Sequence, residues 1–419
     1  MTLWEYLKSK MERYGERIAF ANSGLTYKEL VSFPNRAHNE SRLLICEGKS
    51  REEQAISILR CIAEGNVAVP ITKEYGIKNY EYIHRVVKTD IAYETIKDLA
   101  FLMFTSGTTG VPKGVMLTHE NIISNLQYIE TYFDLSSVKS ICVARPLVHI
   151  AVLTGEILYA LCCGLTIYFY EESFMPQRLL SYFVKNEIDV FCATPTLYQA
   201  LCLVAKNKSF PIKIGVLSGE VLTVSTGKTL VDNFPDTKFY NVYGLTEHSP
   251  RVSALLPKDF VKKPNSVGKA IGEVQLKMVD GELLVKSASV MKGYYLDTRK
   301  TQEKIKNGWL LTGDRAHFDN DGYLYIDGRK DGMLIKAGIN VYPEEIESTV
   351  KELSGVTDCL VYGEKSENGT IICMDYIGTL DIQALRKQLV GIMNPNIVPN
   401  KIRQVDALAR TASGKKLRK

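Results

Sequence analysis

Residues 104–114, Phe104-Thr105-Ser106-Gly107-Thr108-Thr109-Gly110-Val111-Pro112-Lys113-Gly114, gather three glycines, four hydroxyl side chains and one lysine into eleven positions. Glycine lets a backbone approach a phosphate closely and adopt positive φ, and successive N–H groups of such a loop form an anion-binding nest. The hydroxyls add donors and Lys113 adds a positive charge. Residues 105–114 therefore read as a loop that holds a polyphosphate, against the plainer alternative of an ordinary Ser/Thr/Gly loop. The spacing excludes the G-x-x-x-x-G-K-[ST] phosphate loop. At Gly227-Lys228-Thr229 the first glycine of that pattern is replaced by Leu222, so that site reads as chance. Gly215-Val216-Leu217-Ser218-Gly219 likewise lacks the G-x-S-x-G spacing of a hydrolase.

The elements around the loop must position it. Leu99 to Phe104 is an apolar run expected to be a strand, and a helix is expected to open near Thr118-His119. Further on, short apolar strands at Val138–Ala144, Leu165–Tyr170, Val190–Ala193 and Ile212–Ser218 alternate with helical patterns at 120–133, 150–162, 176–186 and 196–205. Such alternation indicates a layered α/β domain with a largely parallel sheet. Beyond 265 glycine turns and short strands predict a small β subdomain. The polar turn Asp327-Gly328-Arg329-Lys330-Asp331-Gly332 marks a boundary, after which Pro343 opens a helix from its favoured first turn. The expected fold is α/β: a large N-terminal layered α/β domain over 1–328 with a small β subdomain, plus a small mobile α+β C-terminal domain over 329–419.

Bulk properties narrow the class. At 419 residues two domains are expected, and a net charge of +5 fits an anionic small substrate without calling for nucleic acid. Nine cysteines without C-x-x-C spacing suit small buried hydrophobes in a reducing, cytoplasmic setting. Charges at Glu5, Lys8 and Lys10 exclude a secretory leader in the first residues, where Trp4, Leu7 and Met11 share a helical face. The apolar stretch Leu147 to Tyr170 is interrupted by His149, Thr154, Glu156, Gly164 and Thr166 and reads as a buried helix followed by a buried strand, not a membrane span.

Four further blocks accompany the loop: Asn241-Val242-Tyr243-Gly244-Leu245-Thr246-Glu247, Trp309-Leu310-Leu311-Thr312-Gly313-Asp314 with Gly328-Arg329, Lys336 through Glu347, and Arg410-Thr411-Ala412-Ser413-Gly414-Lys415. In order and spacing, over nearly the whole chain, they resemble the adenylate-forming enzymes: acyl- and aryl-CoA synthetases, acyl-AMP ligases, adenylation domains and luciferases. The resemblance implies activation of a carboxylic acid with ATP and Mg²⁺, then transfer to a thiol. It implies that Thr105, Ser106, Gly107, Thr108, Thr109, Gly110 and Lys113 hold the β- and γ-phosphates. Thr246 contacts the α-phosphate, Glu247 holds the metal, and Tyr243 with Gly244 lies by the adenine. Gly219, Glu220 and Val221 match the strand end against the adenine, although Val221 departs from the usual Pro or Leu. Asp314 and Arg329 bind the ribose. Asp331 is the hinge, Lys336 and Gly338 line the thiol tunnel, and Lys415 is the adenylation lysine.

The acid is less legible. Pro146-Leu147-Val148-His149 resembles the P-L-F-H block of acyl- and aryl-CoA synthetases, which makes His149 a catalytic-site gate; a satisfied core histidine is the competing reading. No Asp opens this helix to take an α-amino group, and Glu156 is expected to pack elsewhere. Ser218, Leu245, His248 and Arg251 are the other expected pocket residues. The polar groups of His248, Ser249 and Arg251, which follow the Thr-Glu pair, favour an aryl or hydroxyaryl acid over a long alkyl chain, which would leave them unpaired, with a fatty acid as runner-up. The acceptor is coenzyme A or a carrier-protein phosphopantetheine arm. The phosphate loop begins earlier than in most members, so the N-terminal subdomain is expected to be abbreviated, as in a short stand-alone ligase. A phosphotransferase and a non-catalytic nucleotide-binding protein are the remaining alternatives.

Overall fold

A computed structural model describes residues 1–34, 41–73, 77–88, 96–106, 112–205, 210–330, 332, 334–336, 339–341, 343–366, 369–393 and 397–408. Its largest element is a nine-stranded sheet. The central strands Thr166–Phe169, Ser140–Val143, Val190–Ala193, Ile214–Leu217 and Lys238–Gly244 are neighbours in that order and all parallel. Arg251–Leu255 then adds antiparallel to the last of them. Ser140–Val143, Val190–Ala193 and Ile214–Leu217 are buried at every position, which is why they read as unbroken apolar runs. Between them run helices such as Pro176–Lys185, which starts on proline and buries Leu179, Leu180 and Phe183, and Pro195–Ala205. The layered α/β fold expected of this region is present. Because the strands are parallel, their carboxyl ends share one edge of the sheet, where a ligand crevice is expected.

The Leu147 to Tyr170 stretch is a helix over 150–163 with a π-turn at Leu153–Leu158, followed by the strand Thr166–Phe169. No helix among the described residues is long and apolar enough to cross a membrane. At the start of the chain Thr2 caps the helix Leu3–Met11, and Leu3, Trp4, Leu7 and Met11 are buried. The nine cysteines are free thiols, and Gly227-Lys228-Thr229 lies inside the helix Val224–Asn233.

The phosphate-loop region departs from the expected strand–loop–helix. Leu99–Ser106 and Pro112–Thr118 form an antiparallel hairpin in which Thr105 faces Lys113 and Phe104 faces Gly114. Lys113 and Gly114 thus belong to a strand, and the connection shrinks to 107–111, which lies outside the described residues. Packing explains the strand: Val115 and Leu117 are fully buried, and a Cβ on Gly114 would stand 3.0 Å from Leu102 and 3.1 Å from Tyr295. The helix opens at His119, capped by Thr118.

The expected β subdomain is a sheet built from Gln275–Val279, Glu282–Lys286, Trp309–Phe318, Ile305–Lys306 and Leu324–Arg329. A separate core follows. The long hairpin Val356–Ser366 with Gly369–Gly378 takes Lys401–Gln404 as a parallel third strand. The helices Pro343–Lys351 and Ile382–Ile392 bury Ile346, Val350, Leu385 and Leu389 in the same cluster as Val361, Met374 and Tyr376. This is the smaller α+β unit the sequence led us to expect.

Candidate active site

Three polar clusters gather near the carboxyl edge of the parallel sheet and the β subdomain beside it. In the first, the strand register sets Asp314 opposite Arg329, and Arg329 Nη1 donates to Asp314 Oδ1 at 2.9 Å and to the Thr312 carbonyl at 3.1 Å. Tyr243, near the end of Lys238–Gly244, donates its hydroxyl to Asp314 Oδ2. Burial, and then the negative Asp314, push the Tyr243 phenol far above its usual range, so it remains a donor. Gly313 holds φ at +77°, a conformation that favours glycine, and its N–H donates to Glu282 at 2.9 Å. The sequence placed Tyr243, Asp314 and Arg329 around one nucleotide, and the fold brings all three into direct contact.

The second cluster centres on Glu247, in the short turn Thr246–His248 that follows Gly244. Tyr294 donates its hydroxyl to Glu247 Oε1 at 2.8 Å, and burial followed by Glu247 raises the Tyr294 phenol. Lys113 Nζ lies 5.7 Å from the centre of the same ring. Thr246 stands beside Glu247 in the same turn, and Thr105 faces Lys113 across the hairpin. Carboxylate, phenol and lysine thus meet at the base of the 107–111 connection. Tyr294 is a site residue that sequence reading missed; its pairing with Met116–Val115 through Gly293–Tyr294 has no local signature.

The third cluster includes Ser218, one of the residues expected to line the acid pocket. Glu156 is completely buried and accepts from Arg145 Nε at 3.1 Å and from Nη2. Arg145 Nη1 donates to Ser218 Oγ at 3.0 Å. Glu156 was expected to pack elsewhere; Arg145 instead ties it to Ser218, a predicted pocket residue. Burial pushes the Glu156 carboxyl upward, opposed chiefly by Arg145. Arg145 itself was missed. Its signal was a charged residue closing the apolar strand Ser140–Val143, directly before Pro146-Leu147. His149 is half-buried at the mouth of the helix that carries Glu156, where its side chain makes no capping bond.

The expectation that His248 offers a polar group to the acid needs correction. Its ring is fully buried, with Nδ1 3.0 Å from the Arg251 carbonyl and Nε2 2.8 Å from Ser287 Oγ. Both nitrogens are spent inside the protein, and burial pushes its pKa down to about 4, so it stays neutral. Glu220 turns its carboxylate to Thr196, accepting from Oγ1 at 2.6 Å, while Gly219, at φ +90°, and Val221, 41% exposed, lie at the surface. Gly244 admits the crossing chain, since a Cβ there would meet the Pro250 carbonyl at 2.2 Å. Leu245 hydrogen-bonds through its N–H to that same carbonyl at 3.0 Å. Gly107, Thr108, Thr109, Gly110, Asp331, Gly338 and Lys415 lie outside the described residues. Ser106 and Lys336 are placed only by their backbones, at strand ends. Among the described residues no cluster of His, Cys, Asp or Glu has the make-up of an all-protein metal site.

Residues 13–295 match the model of the AMP-binding enzyme family, and residues 345–415 match that of the AMP-binding enzyme C-terminal domain. The chain belongs to the AMP-binding enzyme family. It is 35% identical over 309 residues to a long-chain-fatty-acid–CoA ligase of Salmonella typhimurium, covering 68% of this chain and 53% of that protein. It is 29% identical over 323 residues to a 2-succinylbenzoate–CoA ligase of Listeria monocytogenes, covering 75% of this chain and 68% of the other. The fold superposes on an anthranilate CoA ligase in complex with anthranoyl-AMP with a TM-score of 0.87, at 20% identity, over 99% of this chain and 95% of that one. The chain spans about half the length of several curated relatives that it matches.

Proposed function

We propose that this protein activates a carboxylic acid with ATP and passes the acyl group to the thiol of coenzyme A. In the first half-reaction a carboxylate oxygen bonds to the α-phosphorus of ATP while the bond to pyrophosphate breaks, and pyrophosphate leaves with the electron pair. In the second, a thiol sulfur bonds to the acyl carbon, AMP leaves, and the thiol proton passes to solvent. The observation that carries this reading is the cluster of Asp314, Arg329 and Tyr243. It fixes a carboxylate at the sheet edge, beside a second carboxylate, Glu247, that faces Lys113 through Tyr294.

In this reading Asp314 takes the ribose hydroxyls, with Arg329 and Tyr243 holding its orientation. Residues 105–113 cradle the leaving phosphates, and Thr246 reaches the α-phosphate. Glu247 suits Mg²⁺, a hard cation preferring oxygen, because Tyr294 occupies only Oε1. Bound there, the ion would offset phosphate charge. Lys415 approaches the carboxylate in the first step. Turning at Asp331 then exchanges it for the Gly338 face, and Lys336 with Gly338 lines the path of the thiol. Both reactants of the first step are anions, so positioning and charge neutralisation are the main demands on the protein.

An aryl or hydroxyaryl acid is favoured over a long alkyl chain, which would leave Arg251 Nε, Glu156 Oε2 and Thr154 Oγ1 as they stand, buried and unpaired. The likeness to a long-chain-fatty-acid–CoA ligase supports the second reading, a fatty acid. A carrier-protein arm presents the same thiol as coenzyme A. The test is ATP–pyrophosphate exchange across benzoates, hydroxybenzoates, fatty acids and amino acids, with products assayed as AMP or ADP. Acid-dependent exchange yielding AMP supports the proposal, and ADP with phosphate contradicts it.

A further inference from the structure

Arg251 opens the strand Arg251–Leu255, where its backbone is held from three directions. Its N–H donates to Asn125 Oδ1 at 3.2 Å, and its carbonyl accepts from Asn125 Nδ2 at 2.9 Å and lies 3.0 Å from His248 Nδ1. The side chain is equally confined. Arg251 is only 3% exposed, and its guanidinium lies against the π-turn at Gly155. A Cβ there would stand 2.7 Å from Nη2 and 3.1 Å from Nε. A larger residue at 155 would displace it.

What this guanidinium lacks is a partner. Nε is buried without a hydrogen bond, and among the described residues the group forms no ion pair. The neighbouring carboxylate, Glu156, gives Oε1 to Arg145, while its Oε2 and Thr154 Oγ1 are also buried and unpartnered. Two guanidiniums thus stand within electrostatic reach of one buried carboxylate, which pairs with Arg145 alone, leaving a surplus of one positive charge. An unpaired buried charge is destabilising, and an anion entering the same space recovers much of that loss. Arg251 pairs with Gly244 in the sheet, three residues before Glu247. On its other side is the helix that begins after His149. The unpartnered guanidinium therefore lies between the segment that carries Glu247 and the helix that carries Glu156.

Resting on the adenylation reading above, we propose that Arg251 receives a second carboxylate of the substrate, so that the acid activated is a dicarboxylic one. One carboxylate reacts at the α-phosphate; the other docks on Arg251, with Thr154 Oγ1 as a further donor. Arg251 in this role determines specificity and does not touch the reacting atoms.

The experiment compares matched acids, adipate against hexanoate and isophthalate against benzoate, in ATP–pyrophosphate exchange with the wild-type protein, Arg251→Met and Arg251→Lys. We expect the wild type to prefer the diacid in kcat/KM by on the order of 10²-fold or more, since a site built to pair a polar group rejects the analogue lacking it. Arg251→Met is expected to erase that ratio through KM, and Arg251→Lys to restore part of it. A wild-type preference for the monoacids, or a ratio unmoved by Arg251→Met, overturns the proposal. Should Arg251→Met fail to fold, the wild-type ratio and Arg251→Lys decide alone. Equilibrium binding of adipate, measured in parallel, separates the two readings. Adipate binding that Arg251→Lys weakens, with no exchange for any acid, removes adenylation but keeps the anion site. Exchange with monoacids alone and no adipate binding removes the anion site but keeps adenylation.

Discussion

The nucleotide side and the acid side of the site differ in how their charges are spent. On the side proposed for the nucleotide, two carboxylates are oriented: Asp314 accepts from Arg329 and Tyr243, and Glu247 accepts from Tyr294. On the acid side Glu156 Oε2, Thr154 Oγ1 and Arg251 Nε are buried without partners. The first arrangement suits a ligand whose contacts are the same in every turnover, because donors held in place need no rearrangement when charge develops. The second suits a group that arrives with its own charge. On the proposals above, the chemistry common to the family belongs to the half whose carboxylates are held, and the selectivity of this chain to the half whose polar atoms are unpartnered.

That contrast can be broken most sharply at Lys415. Lys415→Ala is expected to lower adenylation by on the order of 10²–10³ while sparing thioester formation from supplied acyl-AMP. Equal loss in both half-reactions, measured separately, removes Lys415 from the first step. Asp331→Pro is the converse case: the thiol step should slow far more than pyrophosphate exchange, and unchanged thioester formation refutes the hinge. Next in size, Tyr294→Phe leaves Glu247 without its donor. Loss of such a support typically weakens metal affinity about 10–100-fold, so half-maximal exchange should require that much more Mg²⁺. An unchanged Mg²⁺ titration dissociates Tyr294 from the metal site.

Gly155→Ala separates the halves directly. A methyl group there crowds the Arg251 guanidinium, at a cost of about 1–3 kcal/mol for overpacking, so KM for the acid should rise about tenfold while KM for ATP holds. A rise in both would show that the halves are not independent. The smallest effect lies outside both. His119 Nδ1 accepts the Leu3 N–H at 3.2 Å, and burial pushes its pKa down to about 4. The unfolded chain takes up this proton near 6.5, whereas the folded chain does so only near 4. Between those values stability therefore falls as pH falls, by at most about 1.4 kcal/mol per pH unit. Above 6.5 the contribution is constant. In urea denaturation at pH 7.5 and pH 5, His119→Gln should flatten this slope without altering the choice of acid, and an unchanged slope excludes His119 as its source.

The sequence revealed the nucleotide half more fully than the acid half, for a physical reason. Tyr243, Gly244, Thr246 and Glu247 share one strand-to-turn segment, and Thr312, Gly313 and Asp314 another, so backbone geometry alone sets each group's spacing. Parallel strands buried on both faces announced themselves as apolar runs, and Pro343 announced its helix. By contrast, Tyr294 reaches Glu247, and Arg145 reaches Ser218, only through tertiary packing across 47 and 73 residues. Neither pairing has a periodicity to read. Lys113 and Gly114 were assigned to a loop by composition, while buried Val115 and Leu117 made their segment a strand. His248 looked available as one of several polar residues in a row, until Ser287 and the Arg251 carbonyl occupied both its nitrogens. Polar character is visible in a sequence; whether a polar atom is already satisfied is visible only in the fold.

The central claim, activation of an acid as its adenylate, is tested most directly by acid-dependent exchange of labelled pyrophosphate into ATP, with the nucleotide product identified. Exchange that requires one class of acid, with AMP as the product, is the result predicted here. Hydrolysis to ADP and phosphate, or no exchange with any acid in a protein shown to bind ATP, would contradict it.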